Sequence, residues 1–324
     1  MKLVSYLREE QDQLALLIDG KLYDTDLVHP NLPSSMSMFL NYWEDLYPIA
    51  ITTEEAIKSG KVAKQQGFDH TLVQPLAPVP HPTSCRIGYT FRSHSNHSAE
   101  THKPFFYFIN HNSICGAGEI LCMPDHLNML DFEMQVAAVI GKPGKNIAAS
   151  EADEYIAGFM IMNSFNARGL QPDDMMINPG PGKDFATATG PMLVTPDEME
   201  GFKIEKENRT GNVYKLSMKC LVNGVDVCEG NLADMDWTFA EIIERCSYGV
   251  QLFPGDIIGT GPTSTGSFFH LNKVGKLNHP DNKEWWLNEE DIVEIEIENL
   301  GKLINKIVKD EGDSLISDKY DDAN

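Results

Sequence analysis

The sequence predicts an α+β fold dominated by strands, with a small N-terminal domain ahead of a larger one. Three observations carry this. Short alternating or apolar runs recur through the second two thirds of the chain, helical periodicity is confined to a few brief segments, and a proline-rich stretch divides the two parts. Residues 2–6 and 14–18 read as strands, and Asp19-Gly20 turns the chain into a third at 21–23. An apolar-periodic helix is expected over 35–43. A second, polar helix is expected over 52–66, opened by the cap signal Thr52-Thr53-Glu54-Glu55. Pro75, Pro78, Pro80 and Pro82 cannot supply a regular ladder, so residues 72–82 are expected to be extended, and the domain boundary is placed there. This gives a small α+β domain at 1–80, a main domain at 81–309 and an acidic, disordered tail at 310–324.

In the main domain, strands are expected at 105–108, 132–140, 192–194, 214–222, 257–259 and 292–297. Helices are expected at 149–156, opened by Ser150, and at 238–246, which carries Phe239, Ile242 and Ile243 on one face. Asn223-Gly224 signals a tight hairpin, and Pro254-Gly255-Asp256 a turn feeding a strand.

A chain of 324 residues with 42% hydrophobic composition can bury a large core, and 18 Pro with 25 Gly imply many turns. The formal net charge of −22 opposes nucleic acid and anionic membrane as partners. An acidic small-molecule substrate would therefore have to be drawn in by local Arg and Lys. The six cysteines include no closely spaced pair and read as buried thiols of a cytoplasmic protein. No apolar run approaches the ~18 residues of a membrane span.

The most informative segment is Leu130-Asp131-Phe132-Glu133-Met134-Gln135-Val136-Ala137-Ala138. Alternation puts Phe132, Met134, Val136 and Ala138 on one face of a strand and Glu133, Gln135 and Ala137 on the other. A carboxylate on an otherwise apolar strand costs several kcal/mol unless paired, so it marks a candidate site. The plain structural reading, a buried acid paired with Arg168 or Lys183, stands beside the functional one.

This segment resembles the strand signature of the fumarylacetoacetate hydrolase family, Asp-Phe-Glu-X-Glu, with Gln135 replacing the second Glu. Asn163-Ser164-Phe165-Asn166-Ala167-Arg168-Gly169-Leu170-Gln171, Gly182-Lys183-Asp184-Phe185 and Thr189-Gly190-Pro191 resemble further blocks of the family, in its order. The resemblance spans roughly residues 86–309. It implies a mixed β-roll or sandwich with a small N-terminal domain, a homodimer, and chemistry on a small acid. In the longer-chain branch it implies His94 as the water-activating base. Carboxylates at the positions of Ile87, Glu133, Gln135 and Ser164 would hold a divalent cation, usually Mg²⁺ or Ca²⁺. Three of those four positions carry no carboxylate here. The partner Glu of the histidine falls at His270, and the Asp after the arginine at Gly169.

On the same resemblance, Arg168, Gln171, Tyr89 and Arg92 are expected to bind substrate, and His94, Lys183 and Glu133 to act on it. A second register, that of shorter-chain members, would use His97 and Glu100 instead. His102, His111 and His126 read as surface or packed residues. The expectation is an enzyme without a cofactor, moving protons on an enolisable 1,3-dicarbonyl or polyketide-like acid by isomerisation, cyclisation, dehydration or decarboxylation. The alternatives are a C–C hydrolase or lyase with weakly bound Mg²⁺ or Ca²⁺, and a non-catalytic ligand-binding protein.

Overall fold

A computed structural model describes residues 1–61, 67–91, 103–171, 180–278, 281 and 283–311. Arg92, His94, His97, Glu100 and His102 lie outside the described residues, as does nearly all of the expected tail.

Among the described residues, eleven strands form one mixed sheet. Its path runs Phe68–Asp69, Lys21–Asp24, Gln11–Ile18, Lys2–Arg8, Thr187–Val194, Ile156–Ser164, Met134–Ile140, Ile257–Gly259, Cys85–Gly88 and Phe106–Ile109. Ile114–Cys115 pairs in parallel with Thr187–Val194 off this path. A second sheet of five strands runs Val225–Asn231, Ser217–Val222, Ile292–Ile297, Gly301–Lys309 and Gly118–Cys122. The expected turn residues do their work. Asn223 and Gly224 both take positive φ (52° and 76°), as the tight hairpin between Val222 and Val225 requires.

Two apolar cores flank the large sheet. One lies between the sheets and contains Phe132, Val136, Ala138, Ile161, Met218, Ile295 and Leu303. The other lies on the opposite face, where Ala137, Val139, Ala157 and Met160 meet Phe39, Trp43, Ala50 and Ile57 of the helices Met36–Asn41 and Trp43–Lys58. Each fully buried Leu, Ile or Phe contributes about 1.5–3 kcal/mol. The strand Met134–Ile140 is thus covered on both sides, with its side chains divided between the faces as the alternation predicts.

Segment 1–80, expected to stand as a small domain, shares the large sheet. Lys2 and Leu3 pair with Val194 and Leu193, and its helices supply one wall of the second core. The proline-rich stretch runs alongside it, with Ser5 Oγ donating to Pro78 O at 2.8 Å.

Two helix expectations need correction, and one helix was missed. The helix placed at 52–66 is Trp43–Lys58, so Thr52 and Thr53 are interior, and their hydroxyls donate to the Ile49 carbonyl instead of capping. The helix at 149–156 is only a 3₁₀ turn, Ala152–Tyr155, because the apolar run that follows is taken by the buried strand Ile156–Ser164. A helix at Phe268–Asn278 was not foreseen. By contrast, the helix expected at 238–246 is present as Phe239–Ser247, and Thr238 and Glu241 close its N-terminus with a reciprocal capping pair. Among the described residues no helix is long and apolar enough to cross a membrane.

Candidate active site

The ladder starts at Met134, the residue after Glu133, and Glu133 lies on the same side as Gln135. The Glu133 backbone N–H donates to Asn163 Oδ1 at 3.1 Å. Glu133 is 4% exposed and Gln135 fully buried. Lys183 Nζ donates to Glu133 Oε1 at 2.9 Å, and Arg168 Nη2 to the same oxygen at 3.2 Å. Gln135 Nε2 donates to Oε2 at 2.9 Å. The side chains of Glu133, Arg168 and Lys183, far apart in sequence, therefore converge.

Asp131, to which no role was assigned from sequence, anchors the cluster. Its Oδ2 accepts from Arg168 Nη2 at 2.8 Å and Nε at 3.0 Å. Its Oδ1 accepts from Phe268 N at 2.7 Å and Phe132 N at 2.9 Å, and Phe269 N reaches Oδ2 at 3.2 Å. The carboxylate thus caps the helix Phe268–Asn278 and holds the guanidinium together. The next residue of that helix lays its ring on the cation, with Arg168 Cζ 4.9 Å from the Phe269 centroid. The only earlier signal for Asp131 was its place in the Asp-Phe-Glu run.

Lys183 follows Gly182 and sits at the end of a tight turn. Its ammonium also donates to Asn166 Oδ1 at 2.6 Å and lies 5.6 Å from the Tyr107 ring centre. Gln171 donates to Asn166 Oδ1 at 3.2 Å, and its Oε1 lies 3.4 Å from Arg168 Nη1. Tyr89 stacks on Phe105 with 4.2 Å between centroids, and burial, with Glu133 adding to it, pushes its phenol up to about 12. Lys183 also lines a cavity of about 360 Å³ shared with Phe108, Ile109, Asn110, Gly180 and Asp184. Neither Asn166 nor Tyr107 had been singled out. Asn166 lay inside a quoted block, whereas nothing in the local pattern marked Tyr107.

Opposed terms set the charge states. Burial alone would raise Glu133, but Lys183 and Arg168 outweigh it and hold the carboxyl below its ordinary value. Burial lowers Lys183, with Arg168 adding to the fall and Glu133 opposing it. A carboxyl held below its ordinary value of 4.5 gives its full stabilisation above that pH and loses it as the pH falls through the folded value. The gap in urea midpoint between parent and Glu133→Gln should therefore be widest near neutral pH and close under acid conditions. A gap that does not change with pH would show that Glu133 is already protonated in the folded protein.

A family model described as fumarylacetoacetate (FAA) hydrolase C-terminal matches residues 81–308. The chain belongs to the fumarylacetoacetate hydrolase family. Its relatives include the mitochondrial oxaloacetate tautomerase Fahd2a of Rattus norvegicus, 30% identical over 95% of this chain and 92% of the relative. A fumarylacetoacetate hydrolase domain-containing protein 2 homolog of Dictyostelium discoideum is 27% identical over 95% of this chain and 97% of its own. Among solved structures, maleylpyruvate hydrolase from Sphingobium sp. SYK-6, in complex with manganese(II) ion and pyruvate, has the same fold. Its TM-score is 0.69 at 18% identity, covering 96% of this chain and all of that one. Homologues of this fumarylacetoacetate hydrolase family member are named as enzymes, and the chain is read as one.

The cation positions implied by the family can be tested against these side chains. Ile87 is an apolar core residue. Gln135 Oε1 accepts from Gly261 N at 3.0 Å, which fixes the amide so that its NH₂ faces Glu133. Gly259 permits this placement, since a Cβ there would lie 2.8 Å from Gln135 Oε1. Ser164 offers a neutral hydroxyl. Both oxygens of Glu133 therefore meet N–H donors, and this donor set does not make the oxygen cage that Mg²⁺, Ca²⁺ or Mn²⁺ requires. Among the described residues, one acidic cluster with ligand spacing exists elsewhere, at Glu54, Asp197 and Glu198, where the Met1 ammonium and Lys58 already sit. Gly169, the departure after Arg168, is a packing requirement, since a Cβ would lie 2.4 Å from the Asn128 amide.

His270, at the position of the family's orienting Glu, bonds instead to Ser267 Oγ through Nδ1 at 2.7 Å. His126 stacks on Phe185 with 4.0 Å between centroids and is packed, as read.

Proposed function

We propose that this protein moves a proton on an enolisable acid of the 1,3-dicarbonyl or polyketide-like class without a divalent cation. The outcome would be an isomerisation, cyclisation, dehydration or decarboxylation. The observation that carries this is the Lys183 ammonium, buried against Glu133 where the family expects cation chemistry. An ammonium has three N–H groups. Two are used by Glu133 and Asn166, which leaves the third for a ligand.

Taking a proton from carbon beside a carbonyl throws negative charge onto oxygen. A buried, preorganised ammonium stabilises that oxygen at no reorganisation cost. A Lys whose pKa is lowered by burial is also a better match to an enol and can share its proton. Arg168, held by Asp131 and Glu133, steadies the cluster and is assigned with Gln171 and Tyr89 to bind the acid; Arg92, outside the described residues, keeps the substrate-binding role expected of it from sequence. His94 is assigned as the proton carrier. The names of relatives support the reaction class, because a tautomerase of oxaloacetate performs a keto–enol proton transfer. The six free thiols fit a reducing compartment, taken here as the cytoplasm, and a homodimer completes the reading.

The test is deuterium exchange at the enolisable carbon, followed by proton NMR in D₂O with oxaloacetate and a panel of β-oxo acids. Exchange should be catalysed and should stay within twofold in excess EDTA. Loss in EDTA with recovery on Mn²⁺ or Mg²⁺ would establish the metal-dependent alternative. A His94→Ala protein that remains active while His97→Ala is dead would move the proton carrier to the shorter-chain register. Absence of exchange with every acid would favour the non-catalytic reading.

A further inference from the structure

A second cleft, of about 990 Å³, shares no lining residue with the cavity beside Lys183. One wall is the helix Phe239–Ser247, whose Ile242 and Ile243 pack into the core between the sheets. Glu133 and Gln135 lie on the opposite face of the large sheet, with Ala137. The cleft is thus separate from the candidate active site. Its other wall is the segment 145–149, which backbone donors fasten to the helix and the turn after it. Ala149 N donates to Glu244 Oε1 at 3.0 Å, Ile147 N to Ser247 Oγ at 2.9 Å and Gly249 N to Asn146 Oδ1 at 2.7 Å. A cleft held open in this way is pre-formed, and its volume is that of a site for a small molecule.

Lys103, Lys145 and Arg245 line this cleft from three separate segments, and none of them makes an ion pair or a hydrogen bond with a described residue. That is unexpected in a chain of 48 acidic and 26 basic residues, where a cation has many acids to choose from. The two carboxylates of the lining are already engaged. Glu244 accepts from Ala149 N, and Glu241 accepts from Thr238 N at 2.9 Å and lies 3.7 Å from Arg209 Nη1. With Arg209, four cations face two carboxylates, which leaves two positive charges. Flat apolar surface adjoins them. Arg209 Cζ sits 4.4 Å from the centre of the Trp237 ring, and Tyr248, 76% exposed, lines the same cleft. We infer that the cleft binds a flat-ringed ligand carrying a dianionic phosphate monoester, the chemistry of a nucleoside monophosphate. A phosphate monoester puts both negative charges on one group, where Arg and Lys donors pair with its oxygens. The ring stacks on Trp237 and Tyr248, a contact that tolerates any base. At a net charge of −22, an anion is held only where the field is reversed locally, as it is here.

The experiment uses the full chain and calorimetric titration with AMP, adenosine and inorganic phosphate at low ionic strength. AMP should bind about tenfold more tightly than either fragment, because charge and stacking then act on one molecule. In the Lys145→Gln/Arg245→Gln protein, AMP affinity should fall about tenfold while adenosine binding stays as in the parent. Tyr248→Ala should weaken AMP and adenosine together, by about fivefold. All three side chains are exposed, so these changes leave the fold intact. Lys183→Met should leave AMP affinity unchanged, which separates this cleft from the active site. The inference is overturned by an absence of AMP binding or by AMP affinity no greater than that of phosphate or adenosine. It is equally overturned by affinity that survives the double change, or that is lost with Lys183→Met.

Discussion

Lys183→Met should lower deuterium exchange at the enolisable carbon by about a thousandfold while the protein stays folded. Methionine has nearly the length of lysine and fills the same space between Tyr107 and Asn166. Glu133 keeps Arg168 at 3.2 Å and the Gln135 amide at 2.9 Å, so its charge is not stranded. What is lost is the ammonium facing the developing oxyanion, and removal of one preorganised donor of that kind costs roughly 10²–10³ in rate. Here the donor also carries the charge assigned elsewhere to a cation, which puts the expectation at the upper end. NMR exchange rates and a circular dichroism melt on the same samples separate loss of chemistry from loss of fold. An exchange rate within tenfold of the parent would mean that Lys183 only neutralises Glu133.

Arg168→Leu should be the most destabilising single change in the site. It leaves Asp131, fully buried, with three backbone amides and no counter-charge. Breaking a buried ion pair from one side costs about 3–5 kcal/mol, or on the order of 10 °C in melting temperature for a chain of this size. Adding Asp131→Asn should restore part of that loss, because the residual penalty is mostly the stranded charge. Urea denaturation of the two single variants and the double variant gives the coupling directly. A loss under about 1 kcal/mol for Arg168→Leu would show that the helix amides alone satisfy Asp131.

How far the site could be read from sequence depends on the kind of signal each residue leaves. Glu133 was legible because an acid breaks an apolar alternation, and Arg168 and Lys183 because short blocks carry them. Asp131 was not, since a carboxylate beside a turn normally faces water. Only the unforeseen helix Phe268–Asn278 turns it into a cap. That helix was obscured because its start, Ser267-Phe268-Phe269-His270, offers no capping box and a weak apolar stripe. At the level of the fold, the strands at 2–6, 14–18 and 257–259 were legible as short apolar runs beside turn signals, and the strand at 292–297 from its alternation of Ile and Val with Glu. The helix at 43–58 was misplaced because two threonines and two glutamates inside it imitate an N-cap.

The continuity of the large sheet across the proline-rich stretch has a consequence for how this chain can be divided. A fragment beginning near residue 81 would contain nearly all of the matched family region and the described site, and would look self-sufficient on a sequence map. It would also uncover part of one side of Thr187–Val194 where Lys2–Arg8 now lies, and strip Phe39, Trp43 and Ile57 from the wall behind Ala137 and Val139. A bare sheet edge beside a newly wetted apolar face is a template for self-association. The first eighty residues thus shield the strands behind them, and a chain cut at residue 81 should self-associate where the full chain does not.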